Sequence, residues 1–425
     1  MADQIKTPLH ESVRKGISPA TQPRSGGRVL AEALRIHGTD RVFCVPGESY
    51  IDVLDAFVDM ADIQVIVAKH EGAAANMAEA DGKLTGRPGI CFVTRGPGAT
   101  HASVGVHTAY QDSTPMILFI GQVKRGVRGR EAFQEVEFRQ MFAPLAKWVA
   151  EIEDPARIPE YVLRAFQCAT SGRPGPVVLS LPEDVLGEAC SVADTARFSA
   201  VQAGPNAADL ESFHSELAQS QRPLLILGGS SWTTEGRSKV EAFVEANRLP
   251  VVASFRRQDL FNNQHPCYVG HLGLGQPPYI GELVRSADLL IALGTRLGDV
   301  PTNGYALLEP PRIPQRLVHI HADSNELGRV FQADLAINAA PSKFAAMFGT
   351  AVPIIHPGWR SWTEKARGEF EKFVSVPGKS QLSQGVDLGT VVAHLSERLP
   401  ADTTISNGAG NYTVWVHRFF KYKAP

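Results

Sequence analysis

Short apolar strands alternate with helices along this chain, and few architectures accept that rhythm. Between residues 26 and 186 the sequence predicts strands near 41–45, 64–68, 89–94, 115–120 and 176–181. Helical stretches fall between them at 27–36, 50–60, 71–84 and 99–110. Such an alternation favours a parallel sheet covered by helices on both faces. Ligands of these sheets sit beyond the carboxyl ends of the strands, so the residues directly after each strand are where chemistry is sought. A second run repeats the pattern, with strands near 223–227, 250–253, 289–293 and 317–321 and helices near 236–247 and 278–286. The expected fold class is α/β, built from successive doubly wound parallel-sheet domains.

The 425 residues suffice for two to three domains at roughly 150 residues each. The boundaries read as a flexible tail over 1–25, a first domain over 26–186, a linker over 187–205 and a central domain over 206–345. A linker rich in Pro, Gly and charge, with Trp359 and Trp362 expected to pack on a neighbouring surface, then covers 346–380. Residues 381–425 offer a helix at 387–399, a strand at 403–406, the turn Asn407-Gly-Ala-Gly and a helix at 413–422, too little for an independent α/β domain. Lys and Arg number 42 against 44 Asp and Glu, a net charge of −2 that gives no field for nucleic acid or an anionic membrane. Cys44, Cys91, Cys168, Cys190 and Cys267 are widely spaced and form no Cys-x-x-Cys. That usage points to a reducing cytoplasm rather than to disulfides or zinc. No apolar run approaches the ~18 residues of a membrane span.

Glu71 is the sharpest candidate. It follows a strand in Lys69-His-Glu-Gly-Ala-Ala and opens a helix of small residues that lets something pack closely against its start. Taken alone, an acid there is also explained by the helix dipole. Gly96-Pro97-Gly98 joins a strand to a helix, so its backbone can approach a ligand closely; alone it reads equally as a tight turn. Phe133 and Gln134, in a loop-like stretch, offer an apolar wall and an amide, or simply a half-buried ring and an exposed polar group. Other templates fail. Gly378-Lys-Ser lacks the earlier glycine of a phosphate loop, and no His-Glu-x-x-His or Gly-x-Ser-x-Gly occurs. His70, His101 and His107 lie near the candidate site, where a hydrogen-bonded structural histidine is the commoner case.

Seven stretches, in order, resemble thiamine-diphosphate-dependent enzymes of the acetolactate synthase group. They are Val45-Pro-Gly-Glu-Ser, Lys69-His-Glu-Gly-Ala-Ala, Lys83-Leu-Thr-Gly-Arg-Pro-Gly, Thr94-Arg-Gly-Pro-Gly-Ala-Thr, Asp112-Ser-Thr-Pro, Ala132-Phe-Gln-Glu and Gly172-Arg-Pro-Gly-Pro-Val. The resemblance is specific over 26–186 and weaker through 425. It implies a pyrimidine-binding domain first, a central domain that in some members holds FAD, and the start of a third domain. The equivalent of Glu71 hydrogen-bonds N1′ of the cofactor's aminopyrimidine and so promotes loss of the thiazolium C2 proton. By the same resemblance Gly47 and Pro97 line the aminopyrimidine pocket. Phe133 and Gln134 face the reacting centre from a partner subunit's loop, and Lys147 stands near the substrate entrance. Gly228, Gly229, Leu272, Gly273, Gly294, Arg296 and Asp323 match FAD contacts loosely.

The implied function is decarboxylation and carboligation of 2-keto acids, two pyruvate giving acetolactate and CO2, in a cytoplasmic homodimer or tetramer. The alternatives are another thiamine-diphosphate lyase or decarboxylase, acting on an aldehyde, sulfo-acid or acyl-CoA, or a non-catalytic truncated product. Two departures stand out. His101 occupies a position where acetolactate synthases often have Asn. The family's Mg²⁺-binding Gly-Asp-Gly is absent, Gly298-Asp-Val being the nearest, so the Mg²⁺ ligands are expected outside this chain, which is expected to be truncated and inactive alone.

Overall fold

The computed structural model describes residues 22–350, 357–376 and 384–423. The chain divides into two compact units at Val201 and Gln202. Residues 1–21 of the expected tail lie outside the described residues, as does Gly378-Lys-Ser. Arg24 and Ser25, also expected in the tail, instead pair antiparallel with Cys190 and Ala189.

The first unit holds a six-stranded sheet in the order Gln64–Val67, Arg41–Cys44, Gly89–Val93, Met116–Gln122, Pro176–Pro182, Trp148–Glu151. Every pairing is parallel. Numbered along the chain the order is 2-1-3-4-6-5, so the path reverses between Arg41–Cys44 and Gly89–Val93, the switch point where such sheets bind ligands. The central strands Gly89–Val93 and Met116–Gln122 are buried throughout, as a sheet with both faces covered requires. One face carries large side chains, among them Leu30, Leu34, Phe57, Phe92, Phe119 and Phe166. The other is lined by Ala74, Ala75, Ala78, Ala99, Ala102 and Ala109. Those alanines lie on the helices Glu71–Thr85 and Gly96–Asp112, and small residues let the two helices approach closely.

The second unit holds another six-stranded parallel sheet, ordered Tyr268–His271, Val251–Ala253, Pro223–Leu227, Leu289–Leu293, Arg316–His321, Leu335–Asn338. Counted along the chain this is 3-2-1-4-5-6, the order of dinucleotide-binding sheets, with its switch point between Pro223–Leu227 and Leu289–Leu293.

Besides the short Arg24–Ser25 and Ala189–Cys190 pair, three strands of the two large sheets escape the sequence reading: Trp148–Glu151, Tyr268–His271 and Leu335–Asn338. All are four-residue edge strands, and the first and last are only partly buried, so their hydrophobic signature is short and broken. No strand forms over 403–406; an extended segment with no neighbouring strand has no ladder to join. The helix predicted at 413–422 is shorter, Thr413–Phe419. The 346–380 stretch contains the helix Pro357–Val374. Its Trp359 is fully buried and donates from Nε1 to Asn247 O at 2.6 Å, while Trp362 donates to Pro223 O at 3.2 Å. Trp359→Ala is expected to destabilise the second unit by about 3–5 kcal/mol, through the cavity and the orphaned carbonyl. A urea titration followed by fluorescence checks it.

Candidate active site

In the first unit, three strand ends converge on one edge of the sheet. After Arg41–Cys44 the chain turns through Gly47, extended at φ −149°. A Cβ there would come 2.7 Å from the Thr94 Cβ, so only glycine lets this turn lie against the segment that leaves Gly89–Val93. Ser49 Oγ and Thr94 Oγ1, 2.7 Å apart, tie the two turns together. Gly96 and Gly98 start the next helix, with Pro97 exposed in its first turn. Pro at that position sacrifices no hydrogen bond, because the first N–H groups of a helix have no partner within it.

Glu71 is the first residue of its helix, following Gln64–Val67. His70 caps that helix, its Nδ1 accepting the Gly72 N–H at 3.0 Å. The Glu71 side chain is 15 % exposed, and His101 Nδ1 lies 2.9 Å from its Oε2. The other oxygen, Oε1, lies 3.7 Å from where a Cβ on Gly98 would stand. The His101 ring stacks on His70, with centroids 4.7 Å apart. The site is thus a half-buried acid with one oxygen held and the other facing a notch kept open by glycine. Nearby, burial pushes the Cys91 thiol and the Tyr50 phenol up, with the Glu71 charge adding to both.

The contact between the two helices sets this geometry. A Cβ on Gly105 would meet the Ala75 Cβ at 2.5 Å, and one on Gly82 would meet Pro115 O at 2.2 Å. Gly105→Val is expected to cost about 2–3 kcal/mol by overpacking and to draw His101 away from Glu71. A lowered thermal midpoint, together with a changed His101 ring signal, is the measurement.

The loop carrying Phe133 and Gln134 lies beside the same edge, against the Gly96 turn of its own chain: Gly96 N–H donates to Gln134 O at 3.0 Å. Glu135 braces the loop by accepting the Gly129 and Ala132 N–H groups at 2.8 and 3.1 Å. Buried Gln122, at the end of its strand, donates to Val136 O at 2.8 Å. Phe133 is left 77 % exposed, and Gln134 takes a positive φ of 66°. Sequence reasoning did not single out Gln122 and gave Thr94 and Glu135 no role of their own; for Thr94 the available signal was a polar residue directly following an apolar strand.

Lys147 does not join the site. Its Nζ donates to Cys168 O and Ser171 O at 2.6 and 2.7 Å, satisfying the carboxyl end of the helix Ile158–Thr170. Its own N–H bonds Pro176 O at the start of a strand. Lys147 therefore sits at the amino edge of the sheet, opposite Glu71, because it precedes a strand rather than following one.

In the second unit, Gly228 and Gly229 follow Pro223–Leu227, Gly294 and Arg296 follow Leu289–Leu293, Leu272 and Gly273 follow Tyr268–His271, and Asp323 follows Arg316–His321. All seven lie at the carboxyl edge. The glycine space is, however, taken up internally. A Cβ on Gly229 would come 1.9 Å from Gly294 O, one on Gly294 2.5 Å from Gly228 O, and one on Gly273 2.8 Å from Phe255. Asp323 Oδ1 accepts from the Asn325 backbone and side chain at 2.9 and 3.0 Å. The strand order suits a dinucleotide, and at Gly229 and Gly294 the missing side chains let two turns close on one another.

Among the described residues, one group has metal-ligand spacing: His70, Glu71 and His101, their ligand atoms within 4.8 Å of one another. It suits a proton better than a metal. His70 Nδ1 is engaged by the Gly72 N–H, and stacked rings do not aim their nitrogens at one point. Among the described residues no helix is long and apolar enough to cross a membrane.

Comparison with known proteins gives two family matches. Residues 24–141 match the thiamine pyrophosphate enzyme N-terminal TPP binding domain, and residues 210–348 match the thiamine pyrophosphate enzyme central domain. The acetolactate synthase large subunit of Parasynechococcus marenigrum is 34 % identical over 328 residues, covering 75 % of this chain and 52 % of that protein. The probable acetolactate synthase large subunit of Methanocaldococcus jannaschii is 29 % identical over 94 % of this chain and 69 % of its own length. That of Corynebacterium glutamicum is 28 % identical over the whole chain and 68 % of its own length. The chain thus spans about half to two thirds of the relatives it matches.

Proposed function

The chain belongs to the thiamine pyrophosphate enzymes, and from that premise we propose that it serves decarboxylation and carboligation of 2-keto acids, two pyruvate giving acetolactate and CO2. The observation that carries this reading is Glu71: a half-buried acid at a switch point, with Oε2 held by His101 and Oε1 facing the Gly98 notch. That donor set fits an aminopyrimidine, which needs a carboxyl to share a proton with a ring nitrogen and a wall without side chains.

When bound, thiamine diphosphate supplies the electron sink for decarboxylation. Glu71 would hold a proton at the cofactor's N1′, and its limited exposure favours sharing with a ligand over sharing with water. Gly47, Pro97 and Gly98 would shape the pocket wall. Phe133 would give the substrate an apolar surface and help exclude water, with the Gln134 side chain beside it.

Relatives named acetolactate synthase support the substrate class. Mg²⁺ and FAD belong to this reading as family cofactors only. Gly-Asp-Gly does not occur in the sequence, and the glycine turns of the second unit are explained by their own packing, so no step is assigned to either. A homodimer or tetramer in a reducing cytoplasm completes the reading. The test is acetolactate formation from pyruvate, dependent on thiamine diphosphate and Mg²⁺. Protein that binds the cofactor yet turns over only aldehydes, sulfo-acids or acyl-CoA substrates would refute the substrate assignment.

A further inference from the structure

The Glu71 carboxylate does not meet the notch alone, because a histidine holds one of its two oxygens. We propose that His101 is a positioning residue for Glu71: it fixes Oε2 and presents Oε1 to the ligand's ring nitrogen. This rests on the reading of Glu71 as the partner of the cofactor's ring nitrogen.

The geometry carries it. His101 Nδ1 lies 2.9 Å from Glu71 Oε2, and the ring is braced by stacking on His70 at 4.7 Å. His70 is held in turn, because its Nδ1 accepts the Gly72 N–H. With Oε2 fixed, rotation about the end of the Glu71 side chain is restrained and Oε1 faces Gly98.

The titratable groups around the pair come from three elements. His70 and Glu71 belong to the Glu71 helix, Tyr50 follows the Arg41–Cys44 strand, and Cys91 lies on Gly89–Val93. His107, two turns along the Gly96 helix, is exposed. Burial keeps the Tyr50 and Cys91 side chains neutral. The His101 ring holds Oε2 through Nδ1 and leaves Oε1 to the ligand. Since the His101 side chain is 52 % exposed, the effect is modest, a factor of about two to five.

The experiment is exchange of the thiamine diphosphate C2 proton in D2O, at saturating cofactor and Mg²⁺, on the full chain continued by the remaining segment of the Corynebacterium glutamicum relative. His101→Ala should lower the exchange rate two- to fivefold, and His101→Asn should restore it. An exchange rate unchanged in His101→Ala overturns the proposal while leaving Glu71 in its role. Exchange that survives unaltered in Glu71→Gln, or no acceleration by the unmutated chain, overturns the underlying reading as well. Ring NMR tests the pair without cofactor. Glu71→Gln should move the His101 ring signals, and unmoved signals mean that the two do not interact.

Discussion

Glu71→Gln is expected to lower thiamine-diphosphate-dependent turnover by about 10²- to 10⁴-fold, the range that a positioned proton-transfer group contributes. The substitution is nearly isosteric, so the helix Glu71–Thr85 keeps its His70 cap and its alanine contacts. His101 can still donate to the amide oxygen. What disappears is the proton-sharing carboxyl at Oε1, since an amide neither takes up nor releases a proton at neutral pH. Stability should change little, by about 0.3–1 kcal/mol, because the lost charge also complemented the helix dipole. The signature is therefore a large fall in rate with a nearly unmoved thermal midpoint. The assay uses both the chain itself and a hybrid continued by the remaining segment of the Corynebacterium glutamicum relative. Turnover at the unmutated rate in the active form would remove Glu71 from the chemistry.

The parts of this site that were legible in the sequence share one property: they come directly after a strand. Glu71, Gly47 and the Gly96-Pro97-Gly98 turn could be placed because parallel strands bring their carboxyl ends to one edge. The seven positions of the second unit were placed at an edge in the same way, yet their contacts were not. Whether a glycine is needed for a ligand or for a neighbouring turn depends on what lies across from it. For Gly229 that is Gly294 O, 65 places further on by the numbering. Lys147 was misplaced for a related reason. Its edge depends on recognising 148–151 as a strand, and that strand is short, partly buried and peripheral. The pairing of His101 with Glu71 was hidden because it depends on how closely two alanine-rich helices approach, which Gly105 and Ala75 decide in three dimensions. The Pro357–Val374 helix was obscured by its mixed composition, and its apolar anchors were read only as two isolated tryptophans.

Lowering the pH from 7 to about 4 is expected to remove on the order of 4–6 kcal/mol of stability from the second unit, before most carboxylates are protonated. His271 and His321 are buried at the carboxyl edge of its sheet, and burial pulls each down to about 4, with His417 and His319 respectively adding a second push. An exposed histidine titrates near 6.5. The folded state thus holds both rings neutral while the unfolded chain binds protons between pH 6.5 and 4. Stability rises with pH wherever the unfolded state binds more protons. Their contribution is fully present above about pH 6.5, drains away as pH falls, and is gone below about 4. At 1.36 kcal/mol per pKa unit, each ring accounts for roughly 2–3 kcal/mol. The first unit should respond more weakly through His37, also pulled down to about 4 by burial. His37 Nδ1 accepts the Phe198 N–H at 3.1 Å and has no room for a second proton there. Four of the five tryptophans, Trp232, Trp359, Trp362 and Trp415, lie in the second unit and Trp148 in the first, so tryptophan fluorescence in urea at a series of pH values follows mainly the second unit. His271→Leu separates this account from general acid expansion. His271 Nε2 has no hydrogen-bond partner, so an apolar side chain orphans little, and the acid slope should flatten by about half. An unchanged slope in that variant would assign the acid sensitivity to other groups.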